Sequence, residues 1–133
     1  GKAIELANHN LEEYNNKLYN LREYFIKGIE KAVGKENIKI NGDGEKRLPG
    51  NVNITFKGIS SKDLLTKLDR MGICASGGSA CSSLCSSPSH VLTAIGLTNK
   101  EAVSTIRLTF GEENTLHDIQ YVVRCISYII KTI

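Results

Sequence analysis

The repeat of apolar residues changes period along this chain, and that change constrains the fold more than any other feature. Ala3, Ala7, Leu11, Tyr14, Leu18, Leu21 and Phe25 recur at the three-and-four spacing of an amphipathic helix. The pattern predicts one long helix that runs to about Val33 and stops at Gly34. Ile119, Val122, Val123, Ile126, Ile129, Ile130 and Ile133 repeat the pattern at the other end, behind a capping pair of Thr115 and Asp118. Between them the period falls to two. Ile38 and Ile40 flank Lys39; Val52, Ile54 and Phe56 alternate with Asn51, Asn53 and Thr55; Ile106, Leu108 and Phe110 alternate with Arg107 and Thr109. Alternation of this kind marks half-buried strands.

Shorter elements fill the gaps. Ser60 with Asp63 opens a helix whose apolar face is Leu64, Leu65, Leu68 and Met71, with Gly72 at its end and a short strand expected at 73–75. Ser87-Pro88-Ser89 introduces a helix over 91–95 ending at Gly96, and Thr98 with Glu101 forms a capping box. Interspersed helices and short strands predict an α+β fold, a small sheet with helices packed on one face. At 133 residues, one compact domain is the expectation.

Residues 76–89 break the texture, with Leu84 the only bulky apolar side chain among Gly, Ala, Ser, Cys and Pro. Such a composition cannot build a core and predicts a mobile loop with an accessible thiol at Cys81. Cys125 among Val122, Val123 and Ile126, and Cys74 beside Ile73, are expected to be packing cysteines. A zinc set of Cys74, Cys81, Cys85 and His90 is conceivable in residue type, but its spacing matches no C-x₂-C knuckle. His90 and His117 stand near helix starts and read as structural. Strand alternation turns Arg107 away from the apolar side, where its guanidinium can meet a carboxylate or simply water.

A net charge of +3 from 17 basic and 14 acidic residues carries no basic stripe, so nucleic acid is not an expected partner. No apolar run approaches the roughly 20 residues of a membrane span, and clustered rather than spread cysteines read as reduced thiols, so a cytoplasmic protein is expected. The chain starts at Gly1 with helical periodicity already running, as if cut from something longer.

Four blocks carry a family resemblance: Arg47-Leu-Pro-Gly-Asn-Val-Asn-Ile-Thr-Phe, Gly77-Gly-Ser-Ala-Cys81-Ser-Ser, Pro88-Ser-His-Val-Leu-Thr-Ala-Ile-Gly-Leu97 and Ile106-Arg-Leu-Thr-Phe-Gly111. In order and interval the chain resembles the final third of the NifS/IscS cysteine desulfurases, in the branch with the longer cysteine loop. The resemblance implies the small C-terminal domain of a fold-type I pyridoxal phosphate enzyme, with residues 1–33 leading in from a missing large domain. It makes Cys81 the nucleophile that takes sulfur from L-cysteine, leaving alanine and a persulfide, and Arg107 the residue that binds the substrate carboxylate. It implies a sulfur acceptor such as an iron–sulfur scaffold, and a homodimer for the full-length protein. The family's Schiff-base lysine belongs to a Ser-x-His-Lys motif that this chain lacks, so pyridoxal phosphate is expected on the missing domain and the fragment alone is expected to be inactive.

Gly77 replaces a common Ser or Thr, Glu112 a common Arg, and Cys85 is additional; Cys85 could resolve a Cys81 persulfide to a disulfide. Two other readings compete: the small domain of another class V aminotransferase-like enzyme with an incidental Cys81, and a non-catalytic thiol or zinc module.

Overall fold

The computed structural model of the chain describes residues 1–77 and 88–132. Two helices lead, α1 (Lys2–His9) and α2 (Leu11–Val33), followed by strands β1 (Ile38–Ile40) and β2 (Asn51–Phe56) and helix α3 (Ser61–Asp69). The short helices α4 (His90–Ala94) and α5 (Asn99–Ala102), strand β3 (Thr105–Thr109) and helix α6 (Leu116–Lys131) complete the order.

The strands form one antiparallel sheet in the order β1-β2-β3. Ile54 faces Ile40 on one side and Ile106 on the other, and Val52 faces Leu108. Directly opposed residues share a face, so this register gathers the buried aliphatics on one side. Leu64 and Leu68 of α3, Leu21, Phe25 and Ile29 of α2, and Ile119, Ile126 and Ile129 of α6 close the same core. Phe25 meets Phe110 with ring centroids 5.8 Å apart at 58°, a tilted contact suited to the ring quadrupoles. The expected α+β architecture is the observed one.

Three helices start on their predicted caps, whereas Ser89 before α4 makes no side-chain capping bond. Ser60 Oγ accepts from the Asp63 N–H, and Thr98 with Glu101 and Thr115 with Asp118 form reciprocal capping boxes. Gly72 and Gly96 take φ of +73° and +93°, a left-handed backbone that glycine adopts without a Cβ clash.

Three expectations need correction. The opening segment is two helices, because the backbone at Asn10 leaves helical geometry (φ −124°, ψ 25°). Asn8-His9-Asn10 is weak helix-forming sequence, and no residue of α1 is buried, so no packing overrides the local preference. The strand expected at 73–75 does not form; pairing begins one residue later, as a single antiparallel bridge between Ser76 and Arg107. Alternation along 73–75 nevertheless holds, burying Ile73 and exposing Cys74. Cys74 is therefore not the packing cysteine expected from its neighbour. Cys125 is buried.

Candidate functional site

The face of the sheet opposite the core is polar, and it divides into a covered end and an open end. Lys39, Thr55 and Thr105 stand side by side across the three strands, and α5 closes over that row. Lys39 Nζ reaches Glu101 Oε1 at 2.8 Å. That ammonium, followed by the Thr98 backbone N–H and hydroxyl, holds the Glu101 carboxyl down to about 2, because each donor favours the ionised form.

Beneath α5, Thr55 and Thr105 are each only 1% exposed, and their hydroxyls are satisfied in sequence. Thr105 Oγ1 donates to the Glu101 carbonyl at 2.7 Å. A hydroxyl has one hydrogen, so in the 2.7 Å contact between the two threonines it is Thr55 that donates. Thr55 Oγ1 is then the acceptor for Asn41 Nδ2 at 2.9 Å. Asn41 Nδ2 also donates to Asn53 Oδ1 at 2.9 Å.

The next row runs Asn41, Asn53, Arg107, Ser76. The Asn41 N–H bonds the Asn53 carbonyl, Asn53 pairs with Arg107, and Arg107 exchanges both backbone hydrogen bonds with Ser76. Asn41 is buried, Asn53 and Ser76 are half-buried and Arg107 is exposed, so burial falls away from α5. The Arg107 guanidinium has no hydrogen-bond or ion-pair partner among the described residues. As the alternation predicts, Arg107 is on the side opposite Ile106 and Leu108, which are buried.

Chemically this end of the sheet can receive an anion: a planar guanidinium offers parallel N–H donors matched to a carboxylate. The sequence reading singled out Arg107 and passed over Asn41 and Asn53. The signal available was composition, since asparagine is depleted in strands yet occupies two outward positions of Asn51-Val-Asn-Ile-Thr-Phe.

Cys81 and Cys85 lie outside the described residues, as does most of the expected loop over 76–89. His90 and His117 are exposed, at the first turns of α4 and α6. Among the described residues no three His, Cys, Asp or Glu side chains group closely enough to hold a metal ion; two of the four residues of the zinc reading lie outside that set. No lysine among the described residues is buried, whereas a Schiff-base lysine works in a desolvated pocket. The described residues therefore do not fit the role of holding pyridoxal phosphate. Among them, too, no helix is long and apolar enough to cross a membrane.

A second basic pair lies away from this row. Arg22 is 4% exposed, stacked 4.9 Å from the Tyr19 ring centroid and bonded to Glu23. Burial, and then the Arg22 charge, push the Arg47 guanidinium below its ordinary range, and its Nε is buried without an acceptor among the described residues.

Comparison with known proteins places this geometry in a family. The Aminotransferase class-V family profile matches residues 1–122. A cysteine desulfurase IscS of Clostridium botulinum is 49% identical over 133 residues, covering 98% of this chain and 33% of that protein. A cysteine desulfurase IscS of Dictyoglomus turgidum is 39% identical over 131 residues, with the same coverage. Among solved structures, a NifS-like protein from Rickettsia africae superposes with a TM-score of 0.80 at 29% identity, over 95% of this chain and 31% of the other. The chain thus spans about a third of the length of the curated relatives it matches.

Proposed function

The chain belongs to the class V aminotransferase family, and on that premise we propose that it is the small domain of a cysteine desulfurase. The enzyme converts L-cysteine to L-alanine and passes the sulfur to Cys81. Class V aminotransferases depend on pyridoxal phosphate in general; in this reading the cofactor and its lysine belong to a large domain outside this chain, and the chain alone does not turn over.

The observation that carries the reading is the unpartnered Arg107 guanidinium on the open end of the sheet, in a chain 49% identical to a desulfurase. Arg107 binds the α-carboxylate and so fixes the amino acid, which turns the meeting of thiolate and substrate sulfur into an intramolecular event. Cys81 supplies the nucleophile. In the net exchange the carbon–sulfur bond of cysteine breaks, a sulfur–sulfur bond forms on Cys81, and a proton replaces sulfur on the carbon. Cysteine and thiol become alanine and persulfide with no external oxidant. The persulfide sulfur goes on to an acceptor such as an iron–sulfur scaffold. The full-length enzyme is a cytoplasmic homodimer in this reading.

The test uses the complete polypeptide encoded by the reading frame that carries this chain. Cys81→Ala should abolish alanine and sulfide release from L-cysteine while the cofactor absorbance stays at the wild-type level. Turnover surviving in Cys81→Ala would overturn the assignment and favour another class V enzyme with an incidental cysteine.

A further inference from the structure

The buried polar chain behind Arg107 leaves Asn41 Oδ1 without a partner among the described residues, yet it fixes which way the half-buried Asn53 amide points. Each link has one permitted direction. The Glu101 carbonyl can only accept, so Thr105 donates to it; Thr105 then accepts from Thr55, and Thr55 from Asn41. Asn41 must therefore turn its NH₂ end toward Thr55, and that same nitrogen is 2.9 Å from Asn53 Oδ1. Only the oxygen end of Asn53 can face Asn41. The Asn53 NH₂ is left on the other arm of the amide, away from β1, and has no partner among the described residues.

On β3, directly opposite Asn53, is Arg107. Cross-strand neighbours of this kind place their Cβ atoms about 5 Å apart on the same face. Two unsatisfied donors of different type, one charged and one neutral, thus stand side by side at the open end of the sheet. A carboxylate has about four lone-pair sites on two oxygens; a guanidinium fork engages two of them and an amide N–H can take a third.

We propose that Asn53 is a second binding residue for the substrate carboxylate, donating from Nδ2 beside Arg107, and that Asn41, Thr55 and Thr105 are positioning residues that hold its amide in the donating orientation. The inference deepens the proposed function and rests on it: the ligand class is the carboxylate of an α-amino acid. It gives asparagine a role at this position, beside the strand-forming Val52, Ile54, Thr55 and Phe56. Aspartate there would put a like charge against the ligand and give Arg107 an internal partner, while an aliphatic residue would leave the carboxylate one donor short.

The experiment measures steady-state kinetics of the complete polypeptide with L-cysteine and with L-cysteine methyl ester, which lacks the carboxylate charge. Wild type, Asn53→Ala, Asn53→Asp and Arg107→Ala are compared, with Asn53→Ser as the alternative if the alanine variant does not fold. Asn53→Ala should raise KM for L-cysteine about tenfold, as expected for loss of one hydrogen bond to a charged group, with kcat within about threefold. The preference for the acid over the ester should fall by a similar factor. Asn53→Asp should lower kcat/KM for L-cysteine by at least about a hundredfold, through repulsion and the internal ion pair. A purely structural role would lower acid and ester equally, and that result would overturn the proposal. If Arg107→Ala changes the acid-over-ester preference and neither Asn53 variant does, Asn53 is excluded and the carboxylate site stands. If Arg107→Ala also leaves that preference unchanged, the proposed function itself fails.

Discussion

Removing the Thr55 hydroxyl should reveal the directional chain beneath α5. Thr55→Val keeps the shape of the side chain and deletes two hydrogen bonds, the one received from Asn41 and the one given to Thr105. Neither partner is wholly orphaned, because Asn41 Nδ2 keeps Asn53 Oδ1 and Thr105 keeps the Glu101 carbonyl. The cost should fall near the net worth of two neutral bonds, about 1.5 kcal/mol. Thr105→Val should cost more, about 2.5 kcal/mol, because it strands the Thr55 hydroxyl hydrogen in a site only 1% exposed. In the double variant the shared bond is lost once rather than twice. Because the stranded-hydroxyl cost of Thr105→Val also vanishes when Thr55 has no hydroxyl, the pair should cost about 2 kcal/mol less than the sum of the singles, a coupling inside the range of contacting residues. Urea unfolding followed by circular dichroism gives the four stabilities, provided the denaturant slope is unchanged across the set. In thermal terms Thr55→Val should lower the melting midpoint by about 6 °C. Strict additivity, or a Thr55→Val cost under about 0.5 kcal/mol, would refute the network as drawn and with it the fixed orientation of Asn53.

Two further outcomes follow from the geometry. Glu101 is held at about 2, below its ordinary 4.5, so its contribution is complete above about pH 4.5 and is lost as pH falls toward 2; Glu101→Gln should flatten the fall in melting midpoint across that window, and an unchanged profile would contradict the Lys39–Glu101 contact. At Gly50 an added Cβ would lie 2.7 Å from the Phe110 carbonyl oxygen and 3.0 Å from Leu18 Cδ1, so Gly50→Ala should destabilise the chain by about 1–3 kcal/mol, measured by the same urea titration.

The sequence carried most of the fold because its signals were redundant. Each strand combined alternation with a buried partner in register, and α3, α5 and α6 each announced a cap that the structure uses. Where a single signal stood alone, it was less reliable. The helical spacing through Ala3 and Ala7 suggests continuity into α2, but periodicity does not say whether a face has anything to pack on, and α1 buries no residue against the described residues. Cys74 departs from expectation for a related reason: adjacency to the buried Ile73 says nothing in extended chain, where neighbours point to opposite sides.

Arg107 was legible as an outward strand position, whereas Asn53 was not. Its significance depends on which cross-strand neighbour it meets and on a hydrogen-bond chain that begins at a helix carbonyl, the Glu101 oxygen, 48 residues later in sequence. Local pattern cannot encode such a relation; only the register of β1, β2 and β3 brings it together. The Cys81 assignment depends on the Gly77-Gly-Ser-Ala-Cys81 motif and on the desulfurase relatives.

The most direct test of the central claim is to find where the sulfur goes. The complete polypeptide, incubated with L-cysteine, alkylated and digested, should show by tandem mass spectrometry one extra sulfur localised to Cys81 within the peptide that also carries Cys74 and Cys85, formed in step with alanine and absent from Cys74, Cys85 and Cys125. Alanine production with no persulfide on Cys81, or with the extra sulfur on another cysteine, would contradict the account.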